Sequence, residues 1–230
     1  MRRSVEAILL GAAISLVPAM AAAHISITSG PGFANATQII KFGVGHGCEG
    51  LDTFSVKVDI PADVTSIRPM PSDFGRVSVE TDATGAVSGV VWTRTAQETL
   101  EGDVAYYELA IRAKLPDKGF STVYFPTHQY CRGPDGGVIV SDWIGLDPTN
   151  TTVEPAPAVK LVPSRRAGWN KFTVPVAVAD VTAFFGDALI VWKGNAAFSP
   201  NPATADLIKT TSGVTALTAL AANDEIWVKY

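Results

Sequence analysis

Between His24 and about Thr152 the chain alternates apolar and polar residues in short runs, most regularly in "FSVKVDI" and "YYELAIRA". Successive side chains of a strand point to opposite faces, so a period of two marks strands with one buried face. The runs "HISIT", "TQIIKFGVG", "TFSVKVDIP", "RVSVET", "VSGVVWTR", "VAYYELAIRAKL", "STVYFPTHQY" and "GVIVSDW" are read as strands on this basis. Between them stand "SGPG", "DATG", "PDKG" and "GPDGG", whose Gly, Pro and Asp residues supply turn conformations. Helical periodicity is nearly absent over this region. Roughly seven or eight short strands at such spacing predict a mainly β fold, an antiparallel β-sandwich of residues 24–152.

Near Asn150 the alternation lapses. Residues 153–165, within "DPTNTTVEPAPAVKLVPSRRAG", are rich in proline and lack a burial pattern, which predicts an extended, fairly stiff linker. Residues 166–230 resume with strand-like "WNKFTVPVAV", "ALIVWKG" and "DEIWVKY" and one helix-like stretch, "NPATADLIKTT". Asn201 is a suitable N-cap and Pro202 suits the first helical turn. The result is a small α+β module. Trp169, Trp192 and Trp227 are expected to supply most of its core; the other use for them is a carbohydrate-stacking face.

Ahead of the sandwich, Arg2 and Arg3 precede an apolar stretch from Ala7 to Val17, and Ala21 and Ala23 form an A-x-A cleavage pattern. This predicts a secretory signal peptide over residues 1–23, cut before His24. A second register, with Ala19 and Ala21, cuts two residues earlier; the later cut is preferred because "HISIT" already has strand alternation. Losing Arg2, Arg3 and Glu6 takes the formal charge from −4 to −5. No basic stripe exists, so nucleic acid and anionic membrane surfaces are not expected partners. No later apolar run is long enough to span a bilayer, and the mature chain is expected to be soluble in the periplasm or outside the cell. Cys48 and Cys131 are expected to form a disulfide in that oxidising setting, stabilising the fold by about 4 kcal/mol in the chain-entropy model. A thiolate pair holding a metal is the alternative.

Cleavage before His24 places two nitrogen donors on one residue, the α-amine and the imidazole Nδ1. Two nitrogens with an added carboxylate in a planar arrangement suit Cu(II), which also tops the affinity order of divalent first-row metals. Glu49, in the glycine-rich turn "GHGCEG", is a candidate for that carboxylate because a Cys48–Cys131 crosslink would fix it in space; a solvated loop glutamate is the ordinary alternative.

Taken in order, "AAAHISIT", "HGCEG", "VKVDIP" followed by "RPMPSDFG", "VVWTR" and "VYFPTHQYCRGPDGGVIVSDWIG" resemble the YcnI-like copper-binding domain, over residues His24 to about Gly145. The resemblance implies an exported sandwich of immunoglobulin- or cupredoxin-like type, encoded beside copper-handling proteins. It implies Cu(II) held by a monohistidine brace, carried over here to His24 for the brace, Glu49 for the carboxylate and Trp143 for a neighbouring tryptophan. The implied role is copper storage, transfer or chaperoning, with another copper-handling protein as partner and no substrate turnover. A core residue of the sandwich is the ordinary reading of Trp143.

Two other classes compete. Secreted copper monooxygenases also use an N-terminal histidine but need a second one, for which only His46 and His128 are present; both are otherwise expected to orient Glu49 or His24. A structural or adhesive surface protein is the third class. Hydrolytic motifs and phosphate loops are absent: "GHGCEG" lacks the following helix a phosphate cradle requires. The copper reading requires the imidazole of His24, Glu49 and Trp143 to converge.

Overall fold

The structure, a computed structural model, describes residues 24–230 apart from 101, 134 and 148; the expected signal peptide lies outside the described residues. The strands run in the order β1 (Ser26–Ile27), β2 (Gly32–Phe33), β3 (Thr37–Val44), β4 (Thr53–Asp59), β5 (Thr65–Pro69), β6 (Arg76–Thr81), β7 (Val87–Thr93), β8 (Tyr107–Lys114), β9 (Thr122–Tyr124), β10 (Thr127–Arg132), β11 (Val138–Trp143) and β12 (Ala158–Val162). One antiparallel sheet has the order β1-β3-β8-β5 and a second the order β11-β10-β4-β7-β6. Alternate residues of each sheet meet in one core: Ile40 and Phe42 of β3, Val56 and Val58 of β4, Val90 and Trp92 of β7, Leu109 and Ile111 of β8. This is the mainly β, antiparallel sandwich that the alternation predicts.

The segment 153–165 is not a free connection. Its residues Ala158–Val162 form β12, which pairs parallel to β2 and antiparallel to β9, and Val159 and Leu161 are buried in the sandwich core. Proline donates no backbone hydrogen bond, so Pro155, Pro157 and Pro163 are confined to the flanks of β12; those flanks hide a short strand from a search for alternation. The run "STVYFPTHQY" is likewise two strands, β9 and β10, interrupted at Phe125 and Pro126.

The C-terminal module consists of β13 (Trp169–Thr173), α1 (Thr182–Phe185), β14 (Ile190–Lys193), β15 (Ala196–Phe198), α2 (Pro202–Thr210), β16 (Thr215–Ala216) and β17 (Glu225–Lys229). Its sheet has the order β13-β17-β14-β15-β16. The side chain of Asn201 accepts hydrogen bonds from the amides of Ala203 and Thr204 and so caps α2, with Pro202 at its first turn as expected. The expected tryptophan core is not what forms. Val174, Val178, Val181, Phe184, Phe185, Val191, Ile226 and Val228 fill the interior, whereas Trp169 and Trp227 are 48% and 49% exposed. Period-two geometry is the reason: with Ile226 and Val228 turned inward, Trp227 between them must point out.

Phe33, Phe120 and Val162 of the sandwich share this second core with Phe172, Phe184 and Phe185. Arg165 clasps the same junction, lying 4.7 Å from the Phe33 ring and 4.0 Å from the Tyr230 ring and pairing through both terminal nitrogens with Asp187. Arg165 holds the Asp187 carboxyl below the usual carboxylate range. A lowered folded-state pKa contributes stability that is present above the unfolded value and lost as pH falls through the folded one. The clasp should therefore weaken on acidification below about pH 3.9. Because Asp187 is largely exposed, the contribution is screened to under about 1 kcal/mol. Urea midpoints of the parent and Asp187→Asn should differ near neutrality and converge in acid; a gap independent of pH would contradict the assignment.

Candidate functional site

His24 is placed by the strand it precedes. Ile25 is buried in the sandwich core, and Ser26 and Ile27 pair with Gly43 and Phe42 of β3, which fixes His24 at the end of that sheet. The imidazole meets the indole of Trp143 edge-on, with ring centroids 5.3 Å apart and planes at 71°. Trp143 ends β11 opposite Thr127 of β10 and is only 7% exposed. Its Nε1 donates to Oε1 of Gln129 at 3.2 Å, and Nε2 of Gln129 donates to the carbonyl of His46 and the hydroxyl of Thr53, both at 2.7 Å. The polar contacts thus run unbroken from Trp143, which the His24 ring touches, to the start of the glycine-rich turn.

A carboxylate stands beside His24, and it belongs to Glu154. Its Oε2 is 3.5 Å from Nδ1 of His24. The backbone of this segment is tied to the end of β11: the Gly145 amide donates to the Glu154 carbonyl at 2.7 Å and the Ala156 amide to the Gly145 carbonyl at 2.9 Å. A Cβ at position 145 would stand 3.0 Å from the carbonyl oxygens of Val153 and Glu154, so any larger residue there would press this pairing apart by a few tenths of an ångström.

Glu49 sits in a tight turn in which Leu51 donates back to the Cys48 carbonyl at 2.9 Å, with φ of 51° at Glu49 and 79° at Gly50. Two successive positive φ values at the centre of a turn are the type I′ arrangement, in which a glutamate is uncommon. The turn is held from below. Cys48 is bonded to Cys131 of β10 with a Cα separation of 5.7 Å, and a Cβ on Gly47 would strike the Leu51 carbonyl. The Glu49 side chain is exposed and makes no hydrogen bond or ion pair among the described residues.

His46 lies on the same turn, its Nδ1 3.1 Å from the Gly47 carbonyl and 3.7 Å from the Asp103 carboxylate. His128 faces away. It alternates with Thr127 and Gln129 along β10 and stands between Asp142, 2.6 Å from Nδ1, and Asp59, 3.2 Å from Nε2. The structure therefore brings His24 and Trp143 together and adds Gln129 and Glu154. It draws neither Glu49 nor either second histidine into contact with His24, so of the convergence expected of His24, Glu49 and Trp143 only the meeting of His24 with Trp143 forms, and Glu154 stands where Glu49 was expected. Gln129 had a sequence signal, a polar residue at an inward position of an alternating strand; Glu154, in a proline-rich stretch, had none.

Among the described residues no group of three His, Cys, Asp or Glu side chains is close enough to hold a metal ion. The imidazole of His24 and the carboxylate of Glu154 supply two donors, and a free α-amine on His24 would supply the third. Two nitrogens and a carboxylate fit Cu(II) chemically.

Residues 24–161 match the family described as "Domain of unknown function (DUF1775)", a span that extends through most of β12. Among solved structures, an uncharacterized protein from Nocardia farcinica described as having an immunoglobulin-like fold is 22% identical, with 60% of this chain and 98% of that chain covered and a TM-score of 0.49. The major pilin subunit BcpA of Bacillus cereus, in a D312A form, is 9% identical, with 89% and 54% covered and a TM-score of 0.36. No curated protein matches the chain.

Proposed function

The chain belongs to the DUF1775 family, and we propose that it is an exported Cu(II)-binding protein that stores, transfers or chaperones copper at its first mature residue. The observation that carries the reading is the meeting of His24 with Trp143 and Glu154, at 5.3 Å and 3.5 Å. Signal-peptide cleavage frees the α-amine, which joins the imidazole Nδ1 in a chelate on a single residue. Glu154 offers the anionic donor, which offsets part of the cation's charge. Trp143 walls one side of the imidazole; Gln129 holds its indole nitrogen, so the ring cannot rotate away without breaking a buried hydrogen bond.

The role of a carrier rather than an oxidative enzyme is supported by the histidines: neither His46, beside Asp103, nor His128, between Asp59 and Asp142, makes a contact with His24. The receiving partner is another copper-handling protein. Two carboxylates compete for the ligand role, Glu154 by proximity and Glu49 by resemblance, and substitution separates them. In a chain beginning at His24, Glu154→Gln should weaken Cu(II) by about 10-fold or more, the scale on which a carboxylate partner tunes a metal ligand, and alter the electron paramagnetic resonance spectrum. Glu49→Gln should weaken it less. The reverse order would move the carboxylate to the turn.

A further inference from the structure

The outer face of the C-terminal sheet carries two exposed indoles, Trp169 and Trp227, beside a half-buried third, Trp192. Glu225, Trp227 and Lys229 of β17 point outward because Ile226 and Val228 are buried, and Trp169, Lys171 and Thr173 of β13 are exposed by the same alternation. The register sets Trp169 opposite Lys229, Lys171 opposite Trp227, and Trp227 opposite Trp192 of β14. Indole and ammonium groups thus form a checkerboard across β13 and β17, with one more indole beside Trp227. The Lys229 ammonium is 6.0 Å from the Trp169 ring centroid, and Lys171 pairs with Glu225 at 2.7 Å. The far end of the face is different: α2 packs on β15 and β16, and Ala197, the register partner of Trp192, is buried.

Exposed aromatic surface rimmed by charged groups marks a contact site, since burying it is favourable and the charges select what covers it. The chemistry of this face narrows the occupant. A protein interface has a core depleted of Lys and Glu, whereas here lysines stand among the indoles. A single-stranded nucleic acid stacks on aromatic platforms but also needs a track of cations for its phosphates, and this face offers two lysines, one already paired with Glu225. A sugar ring has an apolar C–H face that lies on an indole and a polar rim within reach of Lys and Glu side chains. Two ammonium groups against one carboxylate leave the face net positive, which matches a sugar that carries carboxylates. We propose that the β13-β17-β14 face binds an acidic polysaccharide, with sugar rings on Trp169 and Trp227, Trp192 at their edge, and a sugar carboxylate at Lys229. This binding is independent of copper at His24.

The test is affinity electrophoresis of the full mature chain in native gels containing polygalacturonate, with hydroxyethylcellulose as the neutral control and an oligothymidylate titrated separately. Polygalacturonate should retard the protein in a salt-dependent manner, and Trp227→Ala should weaken binding by about tenfold or more, as expected for loss of a central aromatic anchor. Lys229→Gln, which leaves every indole in place, should weaken it less and reduce the salt dependence. Far-UV circular dichroism confirms that each variant is folded. The proposal is overturned by unchanged migration in polygalacturonate, by equal retardation in the neutral polymer, or by a Trp227→Ala protein that binds like its parent. Tighter binding of the oligonucleotide, or self-association that Trp227→Ala abolishes, would overturn it as well.

Discussion

Asp52→Ala is expected to destabilise the protein by about 3–5 kcal/mol, the range seen when one partner of a buried ion pair is removed. Asp52 and Arg94 are both buried, 2.5 Å apart, one residue beyond the turn that carries Glu49. The carboxylate also accepts hydrogen bonds from the Tyr107 hydroxyl at 2.8 Å and the Leu100 amide at 2.7 Å. Arg94 donates from Nε to the Thr53 carbonyl at 2.8 Å and lies against the rings of Phe74 and Tyr107, at 4.8 Å and 4.5 Å. Burial pushes the Tyr107 hydroxyl above its ordinary pKa, so it remains a donor to Asp52. Alanine at position 52 leaves the guanidinium buried with no counter-charge and two donors without their acceptor. Asp52→Asn keeps an acceptor and should cost less. Urea unfolding with an unchanged m-value and a lowered midpoint is the expected result; a loss below about 1 kcal/mol would show that water reaches this cluster.

Replacing Cys48 and Cys131 together by serine should cost about 4 kcal/mol, from the loop-closure entropy returned to the unfolded chain by opening a crosslink of this length. The bond joins residues 83 apart and ties the glycine turn to β10, two residues from Gln129. For a chain of this size the loss corresponds to a melting temperature lower by about 8–16 °C. Thermal unfolding with and without a reductant measures it: the parent should fall on reduction, and the double serine variant should not respond. A parent whose melting temperature does not move on reduction would contradict the crosslink. The turn should also loosen, and with it the contact of Gln129 with the His46 carbonyl.

The sandwich is legible because its strands each bury one face, and one buried face leaves a period-two imprint: "RVSVET" is β6 to the residue, and the strand in "FSVKVDI" is β4. Legibility fails where the constraint is not periodic. β12 has inward Val159 and Leu161, but prolines on both flanks give the segment the composition of a linker. The tryptophans of the last module mislead for a related reason. Residue size suggests burial, yet alternation is set by neighbours, and Ile226 and Val228 take the inner positions. At the site, His24 and Trp143 carry signals of their own, a cleavage motif and a strand end. Glu154 reaches His24 only through the backbone pairing of Gly145 with the segment 154–156, a long-range contact with no local trace. The Cys48–Cys131 bond, by contrast, is legible from two cysteines in a chain whose first residues read as a secretory leader.

We propose that a free α-amine on His24 completes the copper site. This is tested by titrating Cu(II) into two forms of the protein, one beginning at His24 and one in which an N-terminal fusion keeps His24 in peptide linkage. The form beginning at His24 should bind one Cu(II), with nitrogen hyperfine structure in its electron paramagnetic resonance spectrum. The fused form should bind at least about 100-fold more weakly, a loss of about 2.7 kcal/mol. Equal affinities and identical spectra for the two forms would contradict the account.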